Sequence, residues 1–253
     1  MKLKADDARR DFLCISAVAG TGLMLIGCGN KGSSSAGGQA EKQASPKQSE
    51  DEKGGEVTAT EDLMREHGVL RRALLIYSEA AVRLRGNPSA VPPEALQKTA
   101  KLFRAFGEEY HEKKLEEAHI FPAVKSAGGA AAGYPDILIA QHARGREITD
   151  YILAVTQGGR LSAGGAEPFA RALESFVRMY RAHAAREDTI IFPAWKQTLT
   201  AKQLDEMGDR FEEIEHEQFG KDGFEDAVRQ IGEIEGSLGL ADLAQFTAPP
   251  PKL

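Results

Sequence analysis

The chain has 253 residues, 42% of them apolar, which is enough to build a core in one large or two small domains and excludes disorder throughout. A formal net charge of -6, with no long Lys/Arg block downstream of the first residues, excludes an electrostatic footprint for nucleic acid. The two cysteines, Cys14 and Cys28, both precede the body of the chain, so that body has no disulfide framework or cysteine-rich zinc site, and any metal in it must be held by histidine and carboxylates.

Residues 1–10 are polar and positively charged, and residues 12–29 are apolar and small, too short and too broken by glycine for a spanning helix. This is the pattern of a signal sequence. Arg9-Arg10-Asp11-Phe12-Leu13 resembles the twin-arginine export consensus, with Ala8 where Ser or Thr is usual and Cys14 where Lys is common. Leu25-Ile26-Gly27-Cys28 resembles a lipobox, whose cysteine is diacylated and becomes the first residue of the mature protein. Together they predict a signal sequence over 1–28 and an exported protein, anchored in a membrane through lipid on Cys28 at the periplasmic side of the cell envelope. An ordinary cleaved signal peptide or an uncleaved membrane anchor are the alternatives. Residues 29–57, rich in Gly, Ser, Lys, Gln and Glu without an aromatic, cannot bury enough apolar surface to offset ordering and are expected to be a flexible linker. The twin-arginine resemblance further implies export in the folded state, often with a cofactor already inserted.

From Thr58 onward the apolar period is helical, interrupted at Gly86-Asn87-Pro88, Gly128-Gly129, Gly158-Gly159 and Gly164-Gly165. Four long helices are predicted over 58–197. The first opens with Thr58 and Glu61 in capping-box spacing and carries Leu63, His67, Leu70, Leu74, Tyr77, Ala81 and Leu84 in steps of four and three. The second begins after Pro92-Pro93 and brings Phe103, Gly107 and His111 to one face, ahead of Glu116 and Phe121-Pro122. The third follows Tyr134-Pro135 and aligns Leu138, His142, Gly145, Thr149 and Ile152. The fourth steps through Phe169, Leu173, Phe176, Tyr180, His183, Glu187, Ile190 and Ala194. Two shorter amphipathic helices are expected in the extension 198–253, one after a capping box at Thr200 and Gln203, the other over 223–238, with a frayed end from Ala248. The fold class is therefore all-α: an up-down four-helix bundle with two additional C-terminal helices.

The two halves repeat. Residues 116–125 (EEAHIFPAVK) align without a gap on 187–196 (EDTIIFPAWK), so each half is a helical hairpin giving one histidine from its first helix and a histidine plus carboxylate from its second. A single histidine on an apolar face is usually a hydrogen-bonded core residue. Four of six on the seams of four successive helices are different, because buried imidazoles beside buried carboxylates are costly unless paired or metal-bound.

His67, then His111 with Glu116, then His142, then His183 with Glu187, each pair followed by Phe-Pro, resembles the hemerythrin-like (HHE cation-binding) family over residues 58–197. The resemblance implies a non-haem di-iron centre, with His67, His111, His142 and His183 as terminal ligands, Glu116 and Glu187 as bridges, and an open position for dioxygen. Imidazole and carboxylate donors without thiolate favour iron, and manganese after it, over a soft metal.

Three departures qualify the ligand set. His111 and Glu116 are five apart, which needs a π-bulge to keep Glu116 on the seam; otherwise Glu112 takes its place. Arg146 stands where five-histidine members carry another histidine; either Glu147 fills that gap or one iron is under-coordinated, which counts against reversible oxygen carriage. Asp188 competes with Glu187, which is preferred because it stays on the seam. A ferritin-like Glu-x-x-His pair, Glu116 and His119, is rejected because Ile190 occupies the equivalent place in the second half. His119 and His216 are expected at the surface or beside the ligands. Tyr77, Tyr110 and Tyr180 are expected as core aromatics, with Tyr180 close enough to His183 to meet a bound oxygen species, and Lys113, Lys114 and Glu117 as a solvated face. The leading functional expectation is binding, sensing or scavenging of dioxygen; the alternatives are a di-iron enzyme turning over peroxide or nitric oxide, and a metal store.

Overall fold

The computed structural model describes residues 57–159 and 163–251, and the signal sequence, its Cys28 and nearly all of the linker lie outside them. Six helices make up the body. α1 spans Ala59–Gly86, capped by the Thr58 hydroxyl, which accepts the Glu61 N–H. α2 is continuous through Pro93–Leu102, Phe103–Ile120 and Phe121–Ala127. α3 spans Pro135–Thr156, and α4 runs through Ala163–Arg186, Glu187–Ile191 and Phe192–Gln197. α5 spans Ala201–Phe219 behind a complete Thr200/Gln203 capping box, and α6 spans Gly223–Leu238. Gly128 and Gly129, with φ of 75° and 74°, turn the chain between α2 and α3 in a conformation that a Cβ would strain. Gly164 and Gly165 do not interrupt the chain as expected. They lie in the first turn of α4.

α1 packs along α4, and α2 along α3. The expected seam residues of α1, α2 and α3 are all buried. Both C-terminal helices pack outside the bundle against α1 and α2. Phe219 of α5 meets the edge of Tyr110, Phe211 stacks on Trp195, and in α6 Glu235 takes two hydrogen bonds from Arg72. Among the described residues no helix is long and apolar enough to cross a membrane.

Two π-helical stretches set the register of the centre. In each half the backbone N–H of the first Phe-Pro residue reaches back five residues, Phe121 to Glu116 and Phe192 to Glu187. In α2 the wide turn extends over Phe103–Ile120 and absorbs the extra residue between His111 and Glu116, so both are buried on one face. In α4 the sequence reading ran one residue astray: past Glu187 the π turn moves the seam to Ile191 and Trp195, which are buried, while Ile190 and Ala194 are only half-buried.

Candidate metal centre

The six expected ligands converge between the four bundle helices. His67, His111, Glu116, His142, His183 and Glu187 are all buried. Glu116 places Oε1 3.4 Å from His111 Nε2 and Oε2 3.4 Å from His142 Nε2. Glu187 places Oε2 3.5 Å from His67 Nε2 and Oε1 2.9 Å from His183 Nε2. Each carboxylate therefore reaches one histidine of each hairpin, one oxygen apiece.

What turns the four Nε2 atoms inward is a ring of partners on Nδ1. His67 is held by Asp188 at 2.7 Å, His111 by Glu66 at 2.6 Å, His142 by Glu117 at 2.9 Å and His183 by Gln141 Oε1 at 2.8 Å. A ring whose Nδ1–H donates outward presents the Nε2 lone pair inward, the arrangement that metal-binding histidines use. The ring also obeys the pseudo-twofold repeat. Glu66 and Gln141 each precede one of the four buried histidines and hold the histidine of the next helix; Glu117 and Asp188 each follow a central glutamate and hold the first histidine of the other hairpin. Arg71 pairs with Asp188, and its counterpart Arg146 pairs with Glu117 at 2.6 Å. Arg146 thus stands in place of a fifth histidine as the second copy of a motif already present in the first half.

Several expectations are corrected by this ring. Glu117 is not on a solvated face, since a step of 100° from Glu116 turns it toward α3 and His142 rather than toward water. Lys113 and Lys114 are exposed as expected. Glu147 does not fill the gap: it is exposed and pairs with Arg144. Glu112 is committed elsewhere, taking the Tyr180 hydroxyl at 2.7 Å and Arg146 at 3.3 Å. Asp188 holds His67 from outside, and Glu187 is the residue at the centre. His216 is exposed, and His119 is half-buried against the Phe211 ring. Glu66 and Gln141 were missed altogether, although each adjoins a seam histidine.

The donor chemistry fits a cation. His111 Nε2 and all four oxygens of Glu116 and Glu187 are buried without a hydrogen-bond partner, and the Nε2 atoms of His142 and His183 face each other at 3.0 Å. Lone pairs so placed repel unless positive charge sits among them. The carboxylates around His111 and His142 favour a proton on each of these two rings. Burial opposes charging His111, but Glu116 and Glu66 outweigh it and raise the ring well above its ordinary value. Burial likewise opposes charging His142, yet Glu112, Glu116 and Glu117 push it up to about 10. Glu116, which burial alone would raise, is held well below the usual carboxylate range by His111 and His142. A bound metal replaces those protons. Two donor groups share Glu116: one adds His142, His183 and Glu187, the other His67 and His111.

A cavity of about 10 Å³ lies beside the donors, bounded by His67, His111, Glu116, His183 and Glu187, by the apolar Leu70, Leu74 and Ala184, and by Arg71, Glu112 and Tyr180. That is room for one water-sized molecule and too little for an organic substrate. Tyr180 reaches this wall because Gly145 has no side chain: a Cβ there would lie 1.9 Å from the Tyr180 hydroxyl oxygen.

The chain is 40% identical over 240 residues to the uncharacterized protein Rv1995 of Mycobacterium tuberculosis and to the uncharacterized protein Mb2018 of Mycobacterium bovis, covering 94% of this chain and 90% of each relative. No solved structure matches significantly. The hemerythrin HHE cation-binding family matches residues 58–195, a span that holds every donor described above, and the chain belongs to that family.

Proposed function

We propose that the bundle holds a pair of non-haem iron ions and uses them to bind, sense or scavenge dioxygen or a similarly small ligand at the cell envelope. The observation that carries this reading is the division of the two carboxylates, each offering one oxygen to each pair of histidines. His67 with His111 would hold one ion and His142 with His183 the other, with Glu116 and Glu187 spanning both. Such a set gives each ion two imidazoles and two carboxylate oxygens, fewer donors than iron ordinarily takes, and hard nitrogen and oxygen ligands suit iron or manganese. When bound, the pair supplies reversible electron release to a small oxidising ligand. The chain's own residues do the remainder: Asp188, Glu66, Glu117 and Gln141 fix the rings, Leu70, Leu74 and Ala184 limit water, and the small cavity selects by size.

The alternative reading, turnover of peroxide or nitric oxide, is favoured by Tyr180, which brings a polar hydroxyl to the cavity wall. Metal analysis of tag-free protein, followed by anaerobic reduction and exposure to air, separates the readings. A carrier gives about two irons per chain and a visible band that reverses on deoxygenation. Irreversible oxidation with consumption of peroxide favours the enzyme, and absence of bound metal overturns both.

Envelope location rests on the twin-arginine-like and lipobox-like segments, with the polar linker as a tether between Cys28 and the bundle. Cys28→Ala should remain exported but lose its partitioning into detergent. Unchanged partitioning would sink the lipid anchor.

A further inference from the structure

A buried carboxylate stands behind the metal centre with no part in holding it. Glu108 is completely buried on α2, one turn before Glu112. Its Oε1 accepts the Thr149 hydroxyl of α3 at 2.5 Å, and Arg104 Nε lies 2.7 Å from its Oε2. Arg104 continues outward, donating to Asp150 at 2.6 Å and to the carbonyl of Arg146 at 3.0 Å. Asp150 is largely exposed. Inward, Arg146 joins Glu112, and Glu112 takes the hydroxyl of Tyr180 on the cavity wall. A polar strip thus runs through an otherwise apolar bundle, from solvent at Asp150 to the cavity.

The charged and titratable groups around Glu108 come from all four bundle helices. Arg104 and Glu112 are on its own helix, Arg146 on α3, Tyr77 on α1 and Tyr180 on α4. Burial raises the Glu108 carboxyl from 4.5 to about 7; Glu112 adds to the rise, while Thr149, Arg104 and Arg146 hold it back. Burial, with Glu108's charge adding to it, lifts the Tyr77 hydroxyl well above its ordinary range. Taking a charge out of water is costly unless it is fully compensated, and Glu108 Oε2 is buried without a well-formed hydrogen bond.

We propose that Glu108 is a proton-exchanging residue that offsets changes of charge at the metal centre, trading its proton with solvent on the side of the bundle where Asp150 is exposed, while the fixed charge of Arg104 faces its carboxylate. This rests on the iron-pair reading above. Charges in a low-dielectric interior feel one another strongly, and Glu108 lies three residues before the ligand His111. An electron delivered to the centre by an external reductant is matched by one proton drawn from water onto the Glu108 carboxylate. Removal of the electron sends the proton back.

The test uses the full chain and Glu108→Gln. In the zinc-loaded, diamagnetic protein, ¹³C signals of labelled glutamate side chains should include one that titrates near neutrality and is lost in the variant. In the iron-loaded protein, reduction with dithionite in weak buffer near pH 7 should take up more protons in the natural chain than in Glu108→Gln. A Glu108 signal ionised throughout pH 5–9, or equal proton uptake in the two proteins, overturns the inference while leaving the iron pair intact. A chain that binds neither zinc nor iron overturns the reading of the centre, and the inference with it.

Discussion

At the scale of single residues, six side chains turn donor atoms inward and four others hold the imidazole rings from outside. Glu116→Ala and Glu187→Ala should each lose at least one metal per chain and melt lower than the natural protein, because each removes a negative charge facing two histidines. Glu112→Ala should keep both metals, since its oxygens are engaged by Tyr180 and Arg146. Natural stoichiometry in both Glu116→Ala and Glu187→Ala would refute a two-metal centre. Glu117→Ala leaves the His142 Nδ1–H without its acceptor and should weaken metal binding about 10–100-fold, read by competition with a chelator. Gly145→Ala drives a methyl group into the Tyr180 hydroxyl and should cost about 1–3 kcal/mol in denaturant unfolding. The six convergent donors were legible in the sequence because a seam is a property of one helix and its period. Their partners were not: Glu66, Gln141, Glu117 and Asp188 each sit one residue from a seam position, facing the neighbouring helix rather than the centre. Finding them requires knowing which helices adjoin. One signal was available even so, in the pairing of Glu66-His67 with Gln141-His142 and of Glu116-Glu117 with Glu187-Asp188 across the repeat.

At the scale of elements, the repeat explains both where the helix reading held and where it slipped. Capping residues and Gly/Pro breaks placed the ends of α1, α5 and α6, because those signals are local. The five-residue gap from His111 to Glu116 pointed to a bulge, since both had to face one seam. The π turn after Glu187 left no such trace: His183 and Glu187 are four apart, and the disturbance begins only beyond the last ligand. Its mark is the buried pair Ile191 and Trp195 in place of Ile190 and Ala194. A π-bulge is in effect an inserted residue, and the second hairpin has no extra residue between its histidine and glutamate, so removing the one in the first should be tolerated. Deleting the exposed Lys113 gives the His-to-Glu spacing of α4, and the shortened protein should still bind two metals by elemental analysis. Loss of metal with helicity preserved would show that the first hairpin depends on its wide turn.

At the scale of the whole molecule, the question is how much of the chain the centre needs. The body from Thr58 to Leu253 is one compact unit, and its buried core runs without interruption from the bundle into the C-terminal helices. Those helices and the turn after them bury Leu204, Phe211, Ile214, Phe224, Ala227, Ile231, Ile234, Leu238 and Leu240. At about 1.5–3 kcal/mol for each large side chain, their combined burial is at least comparable with the roughly 5–15 kcal/mol by which a domain is stable at all. They also back the centre directly: Phe219 packs on Tyr110, the Tyr110 hydroxyl donates to Glu66 at 3.0 Å, and Glu66 holds His111. A chain begun at Thr58 and carried to Leu253 should therefore be strongly helical, cooperatively folded and metal-loaded, since no residue of the described core precedes Thr58. A chain ended at Gln197 keeps all six donors yet exposes Trp195, Phe106 and Tyr110, and should be molten or aggregated and bind metal poorly. Near-ultraviolet circular dichroism and metal content on the two truncated proteins decide the matter. A cooperatively folded, fully loaded 58–197 fragment would show that the bundle stands alone and that α5 and α6 serve something other than its stability.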